Sequence, residues 1–218
     1  MEIKKADERY NEILAELGNY RTEERKLEFL ENVLKKEQDP VVRKYVFILM
    51  GSFQSQKKWY GTAAKAYTNA ADLSNTFDEK QDLYMKAGVM FIRTGDYFTA
   101  DDTFRKVLVL AKKSQRKEMQ DKVLNLYVKY AEECESNRQM HKALQVYNRI
   151  LTYGIPLDEA NGIRDRIAGL YERMGKPIDA NAMRSQKESA RIVAEREAKE
   201  KKPVEEEDDE FSVEDLLS

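Results

Sequence analysis

The chain has 218 residues, with 38 basic and 40 acidic side chains, one His, one Cys and 41% apolar residues. A 36% charged fraction is high, but the apolar residues are spread along most of the chain, so wholesale disorder is excluded and the length is ample for a real core. Nine glycines and four prolines are few for a turn-rich β protein; a single Cys with a single His furnishes neither an internal disulfide nor a zinc site. No apolar run is long enough to span a membrane and residues 1–7 are too polar for a secretory signal, so the expected setting is the cytosol.

Charge is unevenly placed. Residues 203–218 hold eight acids and no base, which leaves 32 acids against 38 bases in 1–202, a body of +6 carrying a tail of −8. Such a tail is expected to be solvated and disordered, because like charges repel and few apolar groups offset ordering entropy. A body charge of +6 over about 200 residues is too dilute to imply nucleic-acid binding by itself.

In chain order, apolar residues recur three and four apart: Ile13, Leu14 and Leu17; Leu27, Leu30, Val33 and Leu34; Phe104, Val107, Leu108 and Ala111; Leu144, Tyr147, Ile150 and Leu151. No comparable window alternates strictly. Pro40, Pro156, Pro177 and Pro203 fall at breaks in this pattern, where a missing N–H does little harm. The spacing predicts helices over 3–17, 22–37, 40–56, 59–73, 77–94, 97–112, 116–137, 140–152, 157–174 and 177–202. Thr76 with Glu79 fits a capping box opening the fifth. Short connections between helices of this length predict antiparallel pairs.

The chain also repeats itself. Gly51, Ala63, Tyr67 and Ala70 recur 37 residues later as Gly88, Ala100, Phe104 and Val107; a third copy reads Ala131, Ala143, Tyr147 and Ile150, and a fourth Ala168, Ala180 and then Arg184. In each copy the second Ala lies 12 residues after the small residue, and the aromatic position four beyond that. Small residues allow two helices to approach closely and the aromatic fills the space beside them.

These offsets resemble the tetratricopeptide repeat family, most closely from Ala87-Gly88 through Arg93-Thr94-Gly95-Asp96-Tyr97 to Ala100, Phe104 and Val107. The spacing of Ala63, Ala100, Ala143 and Ala180 is 37, 43 and 37 residues, longer than is usual there. Arg184 stands where an aromatic belongs, as a partly uncovered terminal repeat allows. The resemblance implies an all-α, right-handed α-solenoid of about five antiparallel helical hairpins: a capping hairpin over 1–38, repeats over 39–190, a charged helix over 183–202 and the acidic tail over 203–218. The longer helices also resemble the soluble attachment proteins of membrane-fusion disassembly.

In tetratricopeptide arrays the first helices of successive hairpins line a concave surface that takes a partner segment. Carried over by position, that surface comprises Tyr45, Ile48, Leu49 and Ser52; Asp82, Met85, Lys86, Val89 and Arg93; and Asn125, Val128, Lys129 and Glu132. Family members that grip a terminal carboxylate use Lys and Asn one turn apart, where this chain has Ile48/Ser52, Met85/Val89 and Val128/Glu132. A mixed apolar and charged surface suits an extended or helical segment instead. The alternative is that Ile48, Met85 and Val128 are simply core.

Catalytic constellations are thin. Cys134 and His141 form a nucleophilic pair only with an orienting group and a pocket, and the plainer reading makes Cys134 core and His141 a surface turn residue. Adjacent acids such as Asp101-Asp102 and Glu132-Glu133 point to different helix sides. No glycine-rich phosphate loop is present. No enzyme, cofactor or metal is indicated.

Lys57-Lys58-Trp59-Tyr60 interleaves bases and aromatics, and either stacks on a ligand or, the more ordinary arrangement, packs Trp59 over its own hairpin end. In the last helix, Met183 and the Ala190/Val193/Ala194 stripe suit a cap over the final hairpin, and Glu195–Lys199 and Glu197–Lys201 are favourably ordered pairs. The tail closes on Phe211, Val213, Leu216 and Leu217, apolar anchors that an inert solubility tail seldom carries. The expected function is a non-enzymatic scaffold or adaptor that holds a protein segment on its concave face and docks through this tail. Two variants stand beside it: recruitment of an ATPase in the manner of attachment proteins, and RNA association through Lys57, Lys58, Trp59 and the bases near Arg105 and Lys112.

Overall fold

The computed structural model describes residues 2–200, and side chains over 5–197. Its elements are α1 (Glu2–Leu17), α2 (Glu23–Lys36), α3 (Pro40–Gln56), α4 (Tyr60–Asp72), α5 (Phe77–Thr94), α6 (Tyr97–Leu110), a 3-10 turn (Lys113–Gln115), α7 (Arg116–Ser136), α8 (Met140–Leu151), α9 (Leu157–Arg173) and α10 (Pro177–Glu200). The described residues form no strand. The fold is all-α, and the predicted helix limits hold to within about two residues. Packing divides it into two compact units, with the boundary between Tyr153 and Gly154, inside the stretch read as a single run of repeats.

Local chemistry sets the helix starts. Thr22 accepts from the Arg25 N–H, Asp39 from those of Val41 and Val42 with Pro40 at the first helical position, and Asp96 from that of Thr99. Half of the expected capping box forms: Thr76 Oγ1 accepts from the Glu79 N–H at 3.4 Å. The Glu79 carboxylate turns instead to Lys44 on α3, because a charged tertiary partner outweighs a neutral backbone N–H.

The turns between α3 and α4, α5 and α6, α7 and α8, and α9 and α10 are equivalent. Each places one residue in the left-handed region: Lys58 (φ 61°), Gly95 (φ 84°), Arg138 (φ 57°) and Gly175 (φ 71°). In each, the next N–H reaches back to the fifth carbonyl before it, Trp59 to Gln54, Asp96 to Phe91, Gln139 to Cys134 and Lys176 to Tyr171, at 2.8–3.2 Å. This closes the first helix in a Schellman motif. Four residues later the repeat alanines, Ala63, Ala100, Ala143 and Ala180, donate back to Trp59, Asp96, Gln139 and Lys176. The sequence repeat is thus a structural repeat at its turns, although two of the left-handed positions are not glycine.

In the first unit, α4 packs closely on both α3 and α5, and α5 on α6. One apolar cluster joins Ala6, Ile13 and Leu17 of α1, Leu27, Leu30 and Val33 of α2, and Val42, Val46 and Met50 of α3. Another joins Tyr67, Ala70 and Ala71 of α4 with Leu83, Tyr84 and Ala87 of α5 and Val107 of α6. Removing each large side chain of this kind from water contributes about 1.5–3 kcal/mol. Every repeat residue except Arg184 is buried, including Gly51, Gly88, Ala131, Tyr147 and Ala168. The glycines are required by contact: a Cβ on Gly51 would lie 2.9 Å from the Tyr67 ring, and one on Gly88 only 2.4 Å from the Phe104 ring.

In the second unit, α9 and α10 lie side by side. Ile163, Ile167, Ala168 and Leu170 of α9 are buried with Ala180 of α10, and two ion pairs tie the helices, Arg184–Glu172 and Lys187–Asp165, both at 2.6 Å. Met183, Ala190 and Ala194 are half-buried and Val193 is exposed.

Two stability measurements test this register. Phe104→Ala removes a ring that is 2% exposed and is expected to cost about 3–5 kcal/mol in denaturant unfolding. Gly88→Ala is expected to cost about 1–3 kcal/mol by overpacking, and markedly less in the Phe104→Ala background, since the two share one contact. Lys58→Gly and Arg138→Gly should each stabilise by roughly 0.5–1 kcal/mol by relieving left-handed strain, net of glycine's greater unfolded freedom; a loss of stability in both would contradict the turn geometry.

Candidate partner-binding surface

The first helices of three hairpins, α3, α5 and α7, each bury one face and leave another open. On α5 the buried set is Gln81, Leu83, Tyr84, Ala87, Gly88 and Ile92; Asp82 and Lys86 are exposed and Met85, Val89 and Arg93 half-buried. On α3, Tyr45, Ile48, Leu49 and Ser52 are all half-buried, beside buried Val42, Val46 and Met50. On α7, Asn125 and Lys129 are exposed and Val128 and Glu132 half-buried, beside buried Val123, Tyr127, Ala131 and Cys134. None of the thirteen predicted surface residues lies in the fully buried core. Ile48 and Met85 lie at its margin, packed against the cluster of Tyr67, Leu83 and Val107.

Two charged links join these helices. Lys44 of α3, only 8% exposed, places its Nζ 2.7 and 2.9 Å from the two carboxylate oxygens of Glu79 on α5. The same ammonium lies 4.6 Å from the centre of the Tyr45 ring, which packs at 4.7 Å on Tyr10 of α1. A buried ammonium needs this carboxylate, because an uncompensated charge there would cost several kcal/mol.

The second link centres on Arg93. Its Nη1 and Nη2 donate to the two oxygens of Glu133 on α7 at 2.9 and 2.8 Å, a bidentate pair. The guanidinium sits 5.4 Å from the Tyr60 ring and 5.6 Å from the Tyr130 ring. The Glu133 hydrogen bonds, against the opposing cost of burial, hold the Arg93 proton more firmly than usual. Arg93 was assigned to partner contact by position alone; its charge is committed inside the protein, and it positions α7 against α5. Tyr60 and Glu133 entered the sequence reading only as members of a base–aromatic cluster and of an acid pair, and Tyr130 escaped it. Tyr130 and Glu133 are three apart and so share a face of α7, a signal that names the pair but not its partner.

Adjacent acids do diverge. Asp101 of α6 accepts from the Tyr127 hydroxyl at 2.5 Å, from the Tyr153 hydroxyl and from Arg149, while Asp102 accepts from Arg105 at 3.2 Å. The Tyr127 ring is central to an aromatic group, 5.9 Å from Phe104, 5.6 Å from Tyr153 and 6.5 Å from Tyr97.

Cys134 is 1% exposed and burial pushes its thiol pKa up, whereas His141 is exposed. An activated thiol needs the opposite shift. Among the described residues there is no group of three or more His, Cys, Asp or Glu that could hold a metal ion, and no helix long and apolar enough to cross a membrane.

Trp59 departs from its expected packing. It is 49% exposed, at the start of α4 with no side-chain cap, so the hairpin end leaves it open rather than covered. Lys57 beside it is held by Glu24 at 2.7 Å and Glu23 at 3.4 Å. Phe211, Val213, Leu216 and Leu217, with Lys201 of the Glu197 pair and the tail as a whole, lie outside the described residues, and Lys199 of the Glu195 pair lies outside the described side chains.

No family model matches the chain, and no curated protein matches it. Among solved structures, the crystal structure of BtubC (BKLC) from P. vanneervenii is similar over 79% of this chain and 72% of that one, with 15% identity and a TM-score of 0.35.

Burial raises the pKa of several tyrosines, and Tyr84, which also donates to Asp72, is pushed up to about 12 from 10.0. A folded-state pKa above the unfolded one means that the associated stability is complete below pH 10.0 and is lost as pH rises toward about 12. Alkaline titration followed at 295 nm should therefore show tyrosine ionisation delayed and coupled to loss of helical circular dichroism. Ionisation of all twelve tyrosines near pH 10 with the helices intact would contradict the burial described.

Proposed function

We propose that the protein is a non-enzymatic adaptor of tetratricopeptide-like architecture that holds an extended or helical protein segment against the open faces of α3, α5 and α7. The observation that carries this reading is the half-buried apolar series Ile48, Leu49, Met85, Val89 and Val128, interleaved with exposed Asp82, Lys86, Asn125 and Lys129. Apolar groups already partly out of water, next to charged ones, suit a partner that buries the first and pairs with the second. Lys44–Glu79 and Arg93–Glu133 fix the spacing of these helices in advance, so less ordering is needed at binding.

In this reading the acidic, apolar-ended segment 203–218 is a second docking element. Recruitment of an ATPase through that segment is the narrower form, supported only by the resemblance to attachment proteins. The same reading sets the protein in the cytosol, where a lone thiol stays reduced. RNA association has less support, since Lys57 is engaged by Glu23 and Glu24 and Arg105 by Asp102.

Lys86→Glu with Lys129→Glu changes only exposed side chains, so the melting temperature should stay within a degree or two, roughly the range of neutral surface substitutions. Affinity capture from native lysate, read by mass spectrometry, is expected to lose proteins that the parent chain retains. Identical recovery with these substitutions and with Met85→Asp would remove the proposed face. Recovery that falls only on truncation of 203–218 would assign binding to the tail instead.

A further inference from the structure

Basic residues gather in one stretch of the chain, from the second half of α6 to the start of α7. Residues 105–117 contain Arg105, Lys106, Lys112, Lys113, Arg116 and Lys117 and no acid, and all six side chains are exposed. Among the described residues, none of the last four lies within ion-pair distance of a carboxylate. At the α6 end of this run is a cleft of about 330 Å³ between α5 and α6, lined by Lys80, Tyr84, Arg105, Lys106, Val109 and Leu110, with Asp102 on Arg105. Val109 is 71% exposed there, an aliphatic side chain that no part of the described structure covers.

We infer that this cleft is the docking site for the chain's own acidic segment, residues 203–218. The inference rests on, and deepens, the docking role given to that segment above. The two stretches are complementary in order as well as in sign. Six consecutive acids, Glu205 to Glu210, match the six bases in number, and Phe211, Val213, Leu216 and Leu217 would supply apolar groups for an aliphatic recess. Long-range attraction brings the segment in, and an anchor over Val109 and Leu110 removes apolar surface from water. A single-stranded nucleic acid would match the charge but not the recess. The only aromatic side chain in it, Tyr84, has Lys106 5.4 Å above its ring and its hydroxyl tied to Asp72, which leaves no open face for a base.

The test uses the full chain. Because Cys134 is buried, a nitroxide can be directed to Ser218→Cys, and amide signals read from a ¹⁵N-labelled sample. Amides of Lys106–Leu110 should lose intensity selectively, and recover in Arg105→Glu/Lys106→Glu, in Val109→Asp and at high salt. Mixing nitroxide-bearing unlabelled chains with ¹⁵N chains shows whether the segment comes from the same copy or another; loss by either route supports the site. Undiminished α6 signals, or broadening indifferent to both variants, would overturn it. So would a polyuridylate that shifts these amides while the tail leaves them untouched. Loss of a captured partner on truncating 203–218, with α6 silent, would overturn this site and leave the adaptor reading standing.

Discussion

The first unit depends on close approach between the two helices of a hairpin, made possible where the first helix carries no side chain and the second presents a ring. At Gly88 and Phe104 the separation is so small that even a methyl group has no room, and Gly51 with Tyr67 repeats the arrangement one hairpin earlier. Dense packing at such a contact leaves neither helix able to slide, because any shift opens a void or forces a clash. The Schellman turn then sets where the second helix begins, and the alanine that closes its first backbone turn is fully buried. From these two constraints follow the direction of the open helix faces and the short distances across which Lys44 and Arg93 reach their partners.

The charged links act at a different level from the core. Lys44–Glu79 and Arg93–Glu133 each cross between first helices of successive hairpins, and both are flanked by tyrosine rings. Removing Glu79 would strand the buried Lys44 ammonium, whereas Arg93 and Glu133, 28% and 44% exposed, keep contact with water and set spacing through their bidentate geometry. Exposed pairs such as Arg105–Asp102 and Arg191–Glu195 contribute little by comparison, being within one helix and open to water.

How much was legible in the sequence follows from the same division. Helix limits, turn positions and buried repeat residues depend on local periodicity and on glycine or small-residue spacing, and these are written in order along the chain. The left-handed turns at Lys58 and Arg138 were hidden because neither is glycine, although their register matches Gly95 and Gly175. Glu79 was read as a local cap and Arg93 as a surface contact, because a long charged side chain selects its partner from whatever the tertiary fold brings near. Trp59 failed in the opposite sense. Its size argued for cover, but a hairpin end has no neighbouring helix to supply it.

Asp101 carries a consequence for how the first unit opens. One carboxylate receives Tyr127 from α7, Arg149 from α8 and Tyr153 from the turn that follows α8, so three separate segments are moored to a single atom group on α6. Such a mooring cannot release one segment at leisure while retaining the others undisturbed. Amide hydrogen exchange in α7 and α8 should accordingly proceed as one cooperative event, with similar protection in both helices, rather than as progressive fraying from the α8 end.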